Sequence, residues 1–536
     1  MQGAHLESSE RLASDAPATR RLTRRSLLGT GIAGVAVASG LARCPSSLAQ
    51  EASPVAAPVA PPDPLAVGTP IIRNDLTAWT DLGSRLQGWL LRPGDPMYPA
   101  ATIINATRFL TTMPQGIAVC ANPTDVATCV SWARETGIPF AIRSGGHNYA
   151  GYSNSSGLVI DVRPLNQVTA DQETGIVTAG GGANNADAGR VLGPAGLYVA
   201  GGRCPTVGIS GLTLGGGWGF SNRHLGLTCD NLLSTELITA SGELVTASAT
   251  ENPDLFWAVR GAAGGNFGVH TSFTFQAVPA GDVTVFNLRW RGGDTLGLML
   301  AIQDFHINAP REVGMRTAVS PVALMPASGT PGPLEITLLG LAWNPAAAVN
   351  ELLAPIIAIQ APDRQSVQTM PFPAARDALA TDTPNGTYDL KNGFATSALP
   401  ESLLAAALDD LQRMPGVPSR AQESTFGFFG WGGAVNDPAP DAMAFVHRNA
   451  VMLVKTEILW NPLDDPALIA ANVEWNQAAF ARLAPQLTGA YQNFPDRTRT
   501  DWAEAYYGSN LSRLRDVKRE WDPGNLFQYG QSIPPA

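Results

Sequence analysis

From about residue 114 onward, apolar and polar positions fall into short blocks. Ile117-Ala118-Val119-Cys120 is an unbroken apolar run, the pattern of a short buried strand. Pro123-Thr124-Asp125 then opens a helix, with Val126, Val130 and Ala133 spaced to share its inner side. Phe140-Ala141-Ile142 and Leu158-Val159-Ile160-Asp161 repeat the strand pattern. Strand and helix interleave in this way up to about Pro279, with glycine loops between them. Residues 283–485 change character. They carry longer apolar runs such as Leu338-Leu339-Gly340-Leu341-Ala342-Trp343, Pro-rich loops, and a strand-like alternation from Ala450 to Trp460. The tail from Trp502 to Glu520 is an amphipathic helical pair, broken at Gly508 and stopped at Asp522-Pro523.

Length and composition sharpen this picture. A chain of 536 residues, 45% hydrophobic and 15% charged, predicts at least two lobes with sizeable cores and excludes disorder for most of its length. Asp and Glu outnumber Lys and Arg by 45 to 35 without a basic block in the body, which argues against nucleic acid as a partner. Gly 55 and Pro 42 predict a loop-rich protein, and five cysteines are too few for a disulfide scaffold.

The first 49 residues carry an export signal. Arg20, Arg21, Arg24 and Arg25 precede an uncharged stretch from Ser26 to Ala42, too short to span a membrane, and Ser47-Leu48-Ala49 suits a signal peptidase. Thr23-Arg24-Arg25-Ser26-Leu27-Leu28 resembles the twin-arginine motif, so export through that pathway to the periplasm or medium is expected. Cys44 is discarded with the signal. Its removal takes away six Arg and three acidic residues, leaving 29 basic and 42 acidic side chains and a net charge of −13. Gly29-Thr30-Gly31-Ile32-Ala33-Gly34 has dinucleotide-fingerprint spacing but lies inside the signal, where it means nothing. Residues 50–70 are a Pro/Ala linker.

Two segments concentrate unusual residues. In Arg143-Ser144-Gly145-Gly146-His147-Asn148-Tyr149, directly after a strand, consecutive glycines let backbone N–H groups converge on an anion such as a pyrophosphate; a plain glycine turn is the alternative. From Gly201 to Gly219, eight glycines in nineteen residues exclude a helix or strand interior, where each costs up to about 1 kcal/mol. They suit a backbone wrapped around a large flat ligand. Gly264-Gly265-Asn266-Phe267-Gly268-Val269 continues the style. No GxGxxG occurs between residues 140 and 270, and the chain has no CxxC, HExxH or GxSxG, so no metal site is expected.

Arg143-Ser144-Gly145-Gly146-His147, Gly201-Gly202-x-Cys204-Pro205-Thr206-Val207-Gly208 and Gly265-Asn266-Phe267-Gly268 resemble the FAD-linked oxidases related to berberine bridge enzyme. So do Tyr506-Tyr507-Gly508-x-Asn510, Asp522-Pro523-x-Asn525-x-Phe527 and Gln531-Ser532-Ile533-Pro534 near the C-terminus. The resemblance implies an α+β fold of the vanillyl-alcohol-oxidase (PCMH) type. Its parts are a two-subdomain FAD-binding lobe over 71–282, a substrate lobe with an antiparallel sheet over 283–488, and a closing segment, 489–536, returning to the FAD lobe. It implies that FAD lies against Arg143, Ser144, Gly145, Gly146, His147 and Asn148. From the second segment it adds Cys204, Val207, Gly208, Gly211, Gly215 and Gly216, and beyond these Gly268, Val269 and Asn525. It further implies two covalent tethers, His147 to the flavin 8α-methyl and Cys204 to ring carbon 6.

The implied reaction is hydride transfer from a substrate C–H to flavin N5, with removal of a proton from the adjacent O–H or ring. Dioxygen is the expected acceptor. A dehydrogenase using another acceptor and a flavin-holding binding protein without catalysis are the rivals. The expected substrate is a hydroxyl-bearing small molecule: a sugar, an oligosaccharide or a secondary metabolite. The chain departs from several relatives at Tyr491-Gln492-Asn493-Phe494, where their last position is a catalytic tyrosine. The candidate bases are therefore Lys455 and Glu457, which share a strand face, and Tyr491, with a structural ion pair as the alternative for the first two. Cys120 and Cys129 are candidates to pair if strand-to-helix geometry allows it, while Cys229 and the tryptophans 218, 257 and 460 are assigned to packing. Oligomeric state is left open.

Overall fold

A computed structural model describes residues 75–322, 333–380, 385–415 and 424–536. The export signal, Cys44 and the Pro/Ala linker lie outside the described residues. Two small sheets come first along the chain. One has the strand order Trp89–Leu91, Gly116–Val119, Leu158–Asp161, Phe140–Arg143, its last three strands parallel. The other is antiparallel throughout, ordered Val168–Ala170, Ile176–Gly180, Val269–Gln276, Leu232–Ile238, Leu244–Ser248.

The helix Pro123–Thr136 shows how local sequence sets these boundaries. Asn122 caps it by accepting from Asp125 N, proline occupies the first turn, and Gly137 ends it at φ 68°, in the left-handed region that glycine tolerates. Val126, Val130 and Ala133 are fully buried. The Asp125 carboxylate accepts from Gln87 N (2.8 Å), Gly88 N (2.8 Å) and Ala121 N (2.9 Å), tying the helix start to the edge strand. Cys120 and Cys129 meet here as free thiols with sulfurs 4.0 Å apart, a contact and not a bond. Cys229 is fully buried.

The third sheet is antiparallel with seven strands: Arg364–Pro371, Asp282–Arg291, Leu334–Ala342, Val313–Pro321, Thr425–Gly430, Met452–Trp460 and Thr387–Ala395. Its two faces have different company. Phe426, Phe428 and Val454 point into a core shared with the helices Thr295–Asn308, Ala346–Ile359, Glu401–Gln412 and Pro466–Leu483. The alternate residues, including Thr425, Phe429, Lys455 and Glu457, line a cavity.

The tail forms Trp502–Tyr507 and Leu511–Trp521, then runs on without regular structure. Lys518, fully buried, spends its three ammonium protons on Asn266 O (2.6 Å), Asp522 Oδ2 (2.7 Å) and Phe527 O (2.7 Å). Asp522 in turn accepts from Leu526 N (2.7 Å) and Phe527 N (2.8 Å). Asn266 Oδ1 accepts from Ile533 N at 2.9 Å. The closing segment is thus locked onto the third glycine loop. Replacing Asp522 by Ala strands a buried ammonium and is expected to cost about 3–5 kcal/mol in chemical unfolding. A loss under about 1 kcal/mol would mean that water reaches Lys518 and the lock is loose.

Candidate functional site

Three glycine loops, the roof sheet and the tail enclose a cavity of about 510 Å³, within the size range of small-molecule and cofactor sites. The first loop leaves the strand Phe140–Arg143. Arg143 does not line the cavity. Its buried guanidinium donates to Ser153 O (3.1 Å), Ala101 O (2.5 Å) and Asn154 Oδ1 (3.0 Å), fixing the loop from behind. Ser144, Gly145, Gly146, His147 and Asn148 do line it. Gly146 has φ 70°, and the Asn148 carboxamide oxygen accepts from Ala150 N (3.0 Å) and Tyr152 N (3.1 Å), so this side chain shapes the loop itself.

The second loop docks on the first. Gly145 and Gly208 approach so closely that a Cβ on Gly145 would lie 2.8 Å from both Gly208 Cα and Thr206 O. His147 Nε2 and Thr206 Oγ1 are 2.9 Å apart, and Cys204 stands on the same wall. The Cys204 carbonyl accepts from Asn185 Nδ2 at 2.9 Å, which anchors the loop to the helix Asn185–Ala195. Val207, Gly208 and Gly211 line the cavity; Gly215 and Gly216 lie outside its wall. From the third loop Gly268 lines it with Gly264 and Gly265, while Val269 does not. Asn525 does not line it either. It sits at φ 50° in the turn after Asp522, and the tail reaches the wall two residues later, with Phe527, Gln528, Tyr529 and Gln531.

These surroundings fit FAD. Backbone closed by glycine on two loops leaves room only for a ligand pressed against it, and successive N–H groups around a left-handed glycine suit phosphate oxygens. Burial drives the His147 imidazole down to about 4, so the ring is neutral near neutral pH.

On the roof, Lys455 and Glu457 form a hydrogen-bonded ion pair. Burial brings Lys455 down to about 8, against the pull of Glu457, and Arg316 adds to the depression. Tyr149 and Tyr388 pack with tilted rings, centroids 4.9 Å apart, and burial first, then Glu457, keeps both hydroxyls protonated far above neutral pH. Tyr491 also lines the cavity, yet its oxygen accepts from Gly217 N (3.0 Å), Trp218 N (3.0 Å) and Asn493 Nδ2 (3.1 Å). Burial lifts it to about 12. Phe494 packs on Tyr149 and Tyr491, with centroids 4.9 and 5.1 Å away. Trp218 lines the wall with its indole N–H given to Gly430 O at 2.9 Å, a packing role.

Sequence reasoning missed Tyr149, Tyr388 and Arg316 on this wall. Tyr149 stands two residues beyond His147, which was a readable signal, whereas Arg316 and Tyr388 reach the wall through strand register. Among the described residues no cluster suits a metal ion, and no helix is long and apolar enough to cross a membrane.

Comparison with known proteins follows the same two regions. Residues 114–248 match the family described as FAD binding domain, and residues 490–534 match berberine and berberine like. An uncharacterized FAD-linked oxidoreductase of Bacillus subtilis, YgaK, is 33% identical over 460 residues, 84% of this chain and 98% of that protein. The xylooligosaccharide oxidase of Thermothelomyces thermophilus is 31% identical, over 79% of this chain and 88% of its own. The solved structure of Physcomitrella patens BBE-like 1 superposes with a TM-score of 0.76 at 26% identity, covering 85% of this chain and 99% of that one.

Proposed function

The chain belongs to the FAD-linked oxidoreductases related to berberine bridge enzyme, and from that premise we propose that it oxidises a hydroxyl group of a sugar or oligosaccharide with dioxygen as acceptor. The observation that carries this reading is the Lys455–Glu457 pair on the roof of the cavity whose other walls are the glycine loops. Oligosaccharide oxidases among the relatives support the substrate class. FAD bound against the glycine loops supplies the two-electron acceptor for a hydride from the substrate carbon.

The chain's own part is proton removal and orientation. Glu457 gives one carboxylate oxygen to Lys455 and has the other for the substrate hydroxyl, whose proton it accepts. Lys455, as an ammonium, holds that carboxylate in place. Tyr149 and Tyr388 remain hydrogen-bond donors at every working pH.

Lys455 loses its proton near pH 8, so kcat/KM for peroxide release is expected to fall as pH rises through about 8. Lys455→Met removes that alkaline limb. A rate that instead climbs through pH 8 would make neutral Lys455 the base and overturn the assignment to Glu457.

Two covalent tethers, at His147 and Cys204, are part of the proposal. In the tautomer that donates Nε2–H to Thr206 Oγ1, the neutral imidazole keeps its lone pair on Nδ1, the atom that would bond to the flavin. We also propose export, on the twin-arginine pattern of residues 23–28.

A further inference from the structure

Two other buried guanidinium groups are well supplied with acceptors. Arg223 donates to Val313 O (2.9 Å), Ala309 O (2.6 Å) and Trp431 O, and Arg448 forms a double contact with Asp230 at 2.7 and 2.9 Å. Arg316 differs. It lines the cavity from the strand Val313–Pro321, and its guanidinium has no hydrogen-bond or ion-pair partner among the described residues. Its Nε is buried and unpaired, and its guanidinium lies over the Phe429 ring, 5.7 Å from the centroid.

Strand register puts Arg316 on the face that carries the proposed chemistry. It lies opposite Phe429, and on the same strand as Phe429, Gly427 and Thr425 lie opposite Lys455 and Glu457. Among the described lining residues Glu457 is the one carboxylate, and Lys455 already holds it. Arg203 and Arg316 add two further cations to that wall. Burial depresses Arg316 to about 10, Arg203 pushes the same way, and Glu457, already paired with Lys455, offsets only part of this.

We propose that the substrate carries a carboxylate which Arg316 binds, so that the sugar oxidised here is an acidic one, a uronic-acid-containing oligosaccharide. This rests on the oxidase reading and narrows it. A planar guanidinium with its donors unspent matches a carboxylate in two parallel hydrogen bonds, and an apolar surround leaves that pair little competition from water. Arg316 stands on the roof sheet and not on the glycine loops, which favours substrate over cofactor as the source of the negative charge.

The test compares digalacturonate with its neutral methyl ester on the holoprotein, both as kcat/KM and as calorimetric affinity measured without dioxygen. The free acid is expected to be preferred by roughly 10- to 100-fold, the range of a charge-assisted pair, and Arg316→Ala to bring the ratio near one. Arg316→Lys keeps part of it. If neither sugar is turned over but the acid still binds preferentially through Arg316, the oxidase reading fails and the anion site stands. Equal handling of acid and ester by the wild type overturns the proposal. So does an equal loss on both in Arg316→Ala with a changed flavin spectrum, which would assign the guanidinium to the cofactor.

Discussion

Replacing Glu457 by Gln is expected to lower kcat/KM on an oxidisable sugar by roughly 10²–10⁴-fold, the usual contribution of a positioned base, with flavin content and melting temperature near those of the wild type. Glutamine keeps the size of the side chain and an oxygen for Lys455, so the roof strand has no reason to rearrange. What it lacks is the capacity to take a proton. Removing the negative charge also deprives Lys455 of the one neighbour that raises its pKa, so the remaining activity is expected to lose its alkaline limb at a lower pH. Tyr491→Phe is the control. That hydroxyl oxygen already serves two backbone amides and Asn493, and its loss is expected to loosen the loop at Gly217-Trp218 more than it slows proton transfer. A decrease below about tenfold in the Glu457 variant, measured by peroxide release over pH 6–10, would move proton acceptance to another group.

The second large effect concerns retention of the cofactor. Acid precipitation of the wild type is expected to leave the yellow colour in the pellet, and His147→Ala with Cys204→Ala to release it wholly to the supernatant. Either single substitution leaves one bond and therefore a coloured pellet. Both residues stand on one wall although 57 positions separate them, because the Gly145–Gly208 contact joins their loops. Colour lost from the wild type would mean that FAD is held by noncovalent contacts alone. Since Thr206 pairs with His147 Nε2, Thr206→Val is the natural companion measurement, with slower attachment at His147 as its expected signature.

Much of this architecture could be read from residues because the constraints are local. A left-handed Gly137 after an apolar helix face, or glycine where two loops press together, leaves few alternatives, so the helix Pro123–Thr136 and the loops around Gly145 and Gly208 were readable. The pairing of Lys455 with Glu457 followed from strand alternation in the same way. Arg316 and Tyr388 come to the cavity through pairing between strands far apart in sequence, and no local pattern encodes that register. At Asn525 the tail has not yet reached the wall. Its turn at φ 50° redirects the chain, so the residues that touch the wall come after the motif's asparagine.

Phe527, Gln528, Tyr529 and Gln531 complete a cavity whose first wall is built around His147. During synthesis the first glycine loop leaves the ribosome hundreds of residues before those side chains exist. A nascent chain can fold its early sheets, but it holds only an open half-site until the Lys518–Asp522 lock swings the last segment into place. Cofactor enclosure is therefore a late, post-translational event. A chain ending before Asp522 has its glycine loops but lacks both the lock and the side chains that complete the cavity.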